Sequence, residues 1–307
     1  MSVTNNTPKG LCYNCNMGKN HKKAGFTLIE LSLAMVFIAL LSLAIVLIIT
    51  STIASYRKGL TMNLVNSVGS QLVDDLRLAI QNSSASSVAN ECNVRYADSD
   101  SGRDRCVSDG GSYLSMVTKY KNIKINPNDT NAERRPIFGA ICTGSYSYVW
   151  NSGYMFSDKT PAEYKEFASV KIDGNVYSSS FHMLKLRDEH RRICASQVVA
   201  YPANGVAPVI NNTFNIMASD MGSEEPQEML DPTNDLALYD LSLFAPAEAN
   251  NGANLYFAGS FILGTIRGGP DITTTGGDCR KPNDVGDSDY NYCSINKFNF
   301  AAQAGGD

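Results

Sequence analysis

The chain has 307 residues, 43% apolar and 18% charged, with a mean hydropathy of −0.17 and a net charge of −4. Such a chain is too apolar for a disordered protein, too poor in glycine for collagen and too polar on average to cross a membrane many times. Its mild acidity also argues against nucleic acid as a partner.

The averages conceal a polarised chain. Residues 1–25 hold Lys9, Lys19, Lys22 and Lys23 and no acid; removing that +4 from the total of −4 leaves the rest of the chain at −8. Next comes Phe26 to Thr50, twenty of whose 25 residues are apolar, the exceptions being Thr27, Glu30, Ser32, Ser42 and Thr50. As a helix this run would extend about 37 Å, enough to cross a bilayer. Four lysines precede it and only Arg57 and Lys58 follow closely, so the positive-inside rule places the N-terminus in the cytoplasm and the bulk of the chain outside. The apolar run is too long for the core of a removed secretory signal. A plain signal anchor accounts for the length and the lysines but not for Glu30, because a carboxylate in an apolar span is costly and points to a function.

The residues Lys22-Lys23-Ala24-Gly25-Phe26-Thr27-Leu28-Ile29-Glu30 resemble the cleavage and methylation site of type IV prepilins. The resemblance extends over about residues 22–81 and embraces pilins and the pseudopilins of secretion and DNA-uptake machines. It implies that a prepilin peptidase removes a leader, residues 1–25, by cutting between Gly25 and Phe26, and methylates the new amine of Phe26. It implies further that Glu30 pairs with that amine on a neighbouring subunit during assembly. Two opposite charges placed together in a low-dielectric filament core cost far less than either alone. The same leader holds Cys12, Cys15 and His21, three of the four ligands a zinc site needs; two reduced cytosolic thiols are the plainer reading.

No proline occurs between Pro8 and Pro127, so nothing breaks a helix after the span. The apolar positions Ile53, Tyr56, Leu60, Leu64, Val68, Leu72, Leu76 and Ile80 recur every three or four residues, opposite Arg57, Lys58, Asn63, Asn66, Ser70, Gln71, Asp74 and Arg77. The pattern predicts one helix over 26–81, transmembrane over 26–50 and amphipathic beyond, with soft points at Gly59 and Gly69. The near-constant spacing of four fits packing on a sheet better than a coiled coil.

Residues 82–307 read as an exported, β-rich globular head. Strands are expected over 113–120, 137–142, 146–150, 183–187, 193–201, 236–244, 255–266 and 293–300, with a hairpin over 170–176 turning at Asp173-Gly174. Tyr146, Tyr148 and Trp150 alternate as in a half-buried strand. The expected fold is α+β: a long N-terminal helix, membrane-spanning in its first half, packed on a mainly antiparallel sheet with long disulfide-closed loops. Six head cysteines allow fifteen pairings; the simplest is sequential, Cys92–Cys106, Cys142–Cys194 and Cys279–Cys293. The last resembles the C-terminal disulfide loop of many pilins. Asp98, Asp100 and Asp104 in the first loop, and Asp284, Asp287 and Asp289 in the third, are candidate calcium ligands. A solvated acidic loop explains them as well, and no metal or cofactor is assigned.

Of the two head histidines, His182 and His190, the second lies in a charge cluster, Arg187 to Arg192, that reads as a solvated face. No nucleophile elbow, zinc-protease pair or phosphate-binding loop occurs, so no enzyme is expected. The reading is a structural subunit, of the minor or tip kind, of a type IV pilus or pseudopilus. Its expected partners are other pilin subunits through helix 26–81, the prepilin peptidase, the assembly machinery and the membrane. It would pass from a single-pass membrane form to a cell-surface filament. The alternative is a membrane-anchored binding module that uses the prepilin sorting signal without assembling, its aromatic strand 146–150 offered to a glycan or a partner.

Overall fold

A computed structural model describes residues 26–82, 94–96, 105–107, 115–123, 133–143, 145–157, 160–189, 192–195, 211–244, 256–266, 271–273, 276–278 and 293–303. The elements run α1 (Leu28–Gln81), β1 (Val94–Tyr96), β2 (Arg105–Val107), β3 (Ser115–Ile123), β4 (Glu133–Thr143), β5 (Tyr146–Asn151), α2 (Gly153–Phe156), β6 (Ser169–Ile172), β7 (Asn175–Ser178), β8 (Met183–Arg187), α3 (Arg192–Ala195), β9 (Thr213–Ile216), α4 (Ala218–Met221), β10 (Gln227–Glu228), β11 (Leu236–Phe244), β12 (Tyr256–Thr265), β13 (Asp271–Thr273), β14 (Gly276–Asp278) and β15 (Ile295–Gln303). The fold is α+β, with one long apolar N-terminal helix and mainly antiparallel sheets. The chain divides into two compact units, Met1–Thr52 and Ile53–Asp307.

The second unit is built on two antiparallel sheets. The larger has the order β10-β8-β5-β4-β3 and the smaller β11-β12-β15. A bridge between Ser152 and Leu238 joins them where β5 ends. Strand β4 tolerates Pro136 in mid-sequence because of where it falls. Its register with β3 shifts between Lys119 and Tyr120, leaving Ile137 as the extra residue of a bulge, and pairing with β5 begins only at Phe138. The missing N–H therefore costs no ladder bond to β5. The strand starts at Glu133, earlier than the expected 137, for this reason.

One face of the larger sheet, with Ile141, Tyr148, Trp150 and Met183, joins Leu238, Phe261, Leu263 and Phe300 of the smaller sheet in a core that receives Val65, Leu72, Leu76 and Ile80 of α1. The opposite face, with Phe138, Ala140, Cys142, Val149, Leu184 and Leu186, packs against Val170, Phe214 and Ile216. These last belong to a third sheet, ordered β7-β6-β9, in which β6 and β9 are parallel. Strand β5 is thus buried on both faces, not half-buried as its alternation suggested. Its polar Ser147 enters the core because its hydroxyl donates to buried Asp188 at 2.8 Å.

The expected hairpin is present. Asp173 and Gly174 take φ of 49° and 82°, the left-handed pair that a two-residue turn between twisted strands requires. The segment expected as a strand over 193–201 instead starts as helix α3. Asp188 caps it, accepting from the backbone N–H groups of Arg192 and Ile193, and a disulfide from Cys194 to Cys142 ties it to β4. Asp188 is fully buried, and Arg192 pairs with buried Asp220. Within the 187–192 cluster only Asp188 is internal among the described residues; Glu189 and Arg192 are exposed and Arg187 is half-buried, as a solvated face would be, and His190 and Arg191 lie outside the described residues. Strands β9 and β10 were not expected.

The helix is continuous through both glycines, and Gly69 is no soft point. A Cβ there would lie 2.1 Å from the Phe298 ring of β15, whereas at Gly59 it would meet nothing within 4 Å. Glycine at 69 lets the ring lie against the helix backbone. Alanine is the better helix former by about 1 kcal/mol, so Gly59→Ala should stabilise the chain by about that amount. Gly69→Ala should instead destabilise it by about 1–3 kcal/mol through overpacking. Denaturant unfolding of the full chain in detergent, followed by Trp150 fluorescence, distinguishes the two signs.

Candidate functional site

Two places on α1 carry chemistry, one in each unit. In the first unit the helix begins with a reciprocal capping box. Glu30 Oε2 accepts from both the backbone N–H and the hydroxyl of Thr27, each at 2.9 Å, and the Glu30 N–H donates to the Thr27 hydroxyl at 3.3 Å. The carboxylate thereby satisfies donors that a helix N-terminus leaves open and sits where the helix dipole favours negative charge. A carboxylate has about four acceptor positions, and Oε1 takes no partner among the described residues. The expectation from sequence gave Glu30 to a neighbouring amine; the geometry adds an intrachain role and leaves an oxygen for the other.

The run that follows is apolar on every side and, among the described residues, packs against nothing. Phe26 is 87% exposed and Phe37 62%, and α1 is long and apolar enough to cross a membrane. Four hydroxyls inside and just after the run are satisfied within the helix. Ser32 donates to the Ile29 carbonyl, Thr50 to that of Leu47, and Ser51 and Thr52 to that of Ile48. A helix with its polar side chains bonded this way leaves few groups that need water. Gly25, the residue before the expected cut, and the Cys12, Cys15 and His21 set lie outside the described residues.

In the second unit α1 docks by a narrow face. Of the expected stripe, Leu72, Leu76 and Ile80 are buried and Leu64 and Val68 partly so, with Val65, Gly69 and Val73 joining them. Ile53, Tyr56 and Leu60 remain exposed. A polar clasp that sequence reasoning missed sits beside this face. Asp75 accepts from the Tyr148 hydroxyl and from Lys185 Nζ, each at 2.7 Å, tying α1 to β5 and β8. Burial, and then the bond to Asp75, pushes the Tyr148 hydroxyl well above its ordinary pKa. Asn66 on the helix meets Asn296 on β15 at 2.8 Å. The signal for Asp75 was its place between Leu72 and Leu76, on the flank of the buried stripe.

Two titratable groups of the head have well-defined partners. His182 is buried, its Nδ1 2.7 Å from the Leu236 carbonyl and its ring against Phe156, and burial lowers its pKa. Glu228 accepts from the backbone N–H groups of His182 and Met183, and burial outweighs these bonds to push its carboxyl up to about 7. Among the described residues no group of three or more His, Cys, Asp or Glu is placed to hold a metal. Asp98, Asp100, Asp104, Asp284, Asp287 and Asp289 lie outside the described residues. The aromatic strand offered as a binding surface is closed: Tyr148 and Trp150 are buried between layers.

The Cys142–Cys194 disulfide is present as expected. Cys293 is disulfide-bonded as well, to a partner outside the described side chains. Comparison with protein-family models, with curated proteins and with solved structures finds no match.

Two outcomes follow from this geometry. Asp75→Ala strands a buried hydroxyl and a half-buried ammonium and should cost about 2–3 kcal/mol, whereas Tyr148→Phe, which removes one bond, should cost about 1 kcal/mol. For Glu228 the folded state keeps its proton between the usual 4.5 and about 7, where the unfolded chain has lost it. The resulting stabilisation is complete below 4.5 and gone above about 7. Glu228→Gln should therefore gain stability relative to the parent chain as pH rises through that window, as read by paired unfolding curves at pH values on either side.

Proposed function

We propose that the chain is a structural subunit, of the minor or tip kind, of a type IV pilus or pseudopilus. The observation that carries this reading is the first half of α1: a fully exposed apolar helix, opened by a Thr27–Glu30 capping box directly after Lys22-Lys23-Ala24-Gly25-Phe26. The second half, docked on antiparallel sheets, supports it. In this reading a peptidase cuts between Gly25 and Phe26 and methylates the Phe26 amine. The mature chain waits in the membrane with its N-terminus cytoplasmic and its head exported. Assembly then exchanges lipid contacts for contacts with the apolar helices of other pilin subunits. Glu30 keeps Oε2 for its own helix and gives Oε1 to the incoming amine of a neighbour. The head is closed by the Cys92–Cys106 and Cys279–Cys293 loops besides Cys142–Cys194.

The test is processing and assembly together. Intact mass of the membrane-extracted chain should begin at a methylated Phe26, and reduction should add the hydrogens of three disulfides. Glu30→Gln keeps an acceptor for Thr27 but loses the charge, so it should be processed and inserted normally while its share in sheared filaments drops severalfold. Equal incorporation of the variant would overturn the register role. A processed chain that never enters filaments would favour a lone anchored module.

A further inference from the structure

We infer that the Cys142–Cys194 disulfide is a redox latch for a buried carboxylate: closing it seats α3, and α3 supplies Asp188 with the donors that keep the far layer of the head shut. The timing of the latch, oxidation after the chain leaves the cytoplasm, rests on the exported head proposed above.

Asp188 is 0% exposed and directly follows β8. Its backbone N–H donates to the Ser145 carbonyl at 2.8 Å, so its place is set by the turn between β4 and β5. Its carboxylate accepts three hydrogen bonds. One comes from the Ser147 hydroxyl on β5 at 2.8 Å. The other two come from α3, the Arg192 N–H at 2.9 Å and the Ile193 N–H at 3.1 Å. The next residue of α3 is Cys194, and its disulfide partner Cys142 is the cross-strand neighbour of Ser147. The covalent bond and the carboxylate therefore meet on one row of the larger sheet. Helix α3 is four residues long, too short to hold its shape alone. It is kept by Ile193 in the far-face core, by Arg192 on Asp220 and by the disulfide.

Without the disulfide α3 loses a tie, while Asp188 stays where β8 and Ser145 put it. As α3 departs, the carboxylate keeps only the Ser147 bond of its three. A buried charge stripped of donors is costly. Water then reaches it only by opening β5 and β8, whose Val149, Leu184 and Leu186 belong to the far-face core. The departure also takes Arg192 from buried Asp220. One bond thus governs two buried carboxylates on different elements. Its formation is a two-electron exchange: Cys142 and Cys194 lose two protons and two electrons to a disulfide oxidant of the exported compartment, which becomes a dithiol. Once closed, the two cysteines are 0% and 3% exposed, which shields the bond from an attacking thiolate.

The experiment is a double-mutant cycle on the full chain in detergent. The four members are the parent, Asp188→Asn, the pair Cys142→Ala with Cys194→Ala, and all three substitutions together. The carboxamide can still accept from α3 but carries no charge. Hydrogen exchange is read by mass spectrometry in peptides covering β5 and α4. Removing the disulfide should speed exchange in β5 by a factor about tenfold larger with Asp188 than with Asp188→Asn, the difference between losing bonds to a charged and to a neutral acceptor. Equal factors would show a mere tether and overturn the latch, as would faster exchange confined to 192–195. A cysteine-free pair that folds only with Asp188→Asn supports the coupling, and failure of both to fold overturns it. Alkylation in intact cells tests the timing separately. Chain held in the cytoplasm should present both residues as free thiols; finding them bonded there would sink the timing and leave the coupling standing.

Discussion

A helix that is apolar around its whole circumference cannot stay in water, and everything else in the chain is arranged around that constraint. The residues from Leu28 to Ile49 present Leu, Ile, Val, Phe and Met on every side, and each of those large side chains is exposed. Apolar surface of that extent must find lipid or another apolar helix. The details of the segment answer to such an environment: the hydroxyls of Ser32 and of the adjoining Thr50 bond inward, and its one carboxylate is at the end, engaged with the helix terminus. In lipid or in a bundle, a group left without a partner costs several kcal/mol.

The same helix changes character beyond Leu64, where its apolar positions narrow to a stripe and meet sheets. There the joint combines three kinds of contact. Leu72, Leu76 and Ile80 supply apolar burial. Gly69 admits Phe298 close to the backbone. Asp75 holds Tyr148 and Lys185. The first kind gives affinity, while the other two fix register, because a shift of one residue along α1 would drive a side chain into Phe298 and strand a buried hydroxyl. The larger sheet carries a second layer on its far face, where the Cys142–Cys194 disulfide and the Asp188 cap hold α3. The head is therefore three-layered around β5.

What the sequence made legible follows from which signals are local. Helix α1 was readable because periodicity and the lack of proline are local properties, and the Asp173-Gly174 turn because positive φ has a residue signature. Strand 183–187 and strand 236–244 appear with the expected bounds. Residues 193–195 of the strand expected over 193–201 are helical because their apolar residues fit either structure, and the choice was made by the Asp188 cap and by Cys142, the latter distant in sequence; residues 196–201 lie outside the described residues. Strands β9 and β10 are four and two residues long, too short for a period to show. The two-sided burial of β5 was hidden by Ser147, whose polarity is offset only by its bond to Asp188. Asp75 has a local signal in its place beside the buried stripe, but its partners are not legible, because they lie 73 and 110 residues away. The Thr27–Glu30 box has a local signature, the T-x-x-E pattern, so it is legible in the sequence alone.

The central claim is that the exposed half of α1 is a surface for other apolar helices as well as for lipid. Its most direct measurement places a photo-activated cross-linking side chain at Phe37 in the full-length protein and irradiates intact cells before filaments are sheared. The account predicts adducts between Phe37 and the N-terminal helix of another filament subunit in the sheared fraction, alongside lipid adducts in the membrane fraction. Lipid adducts alone, with all of the processed chain left in the membrane, would contradict it.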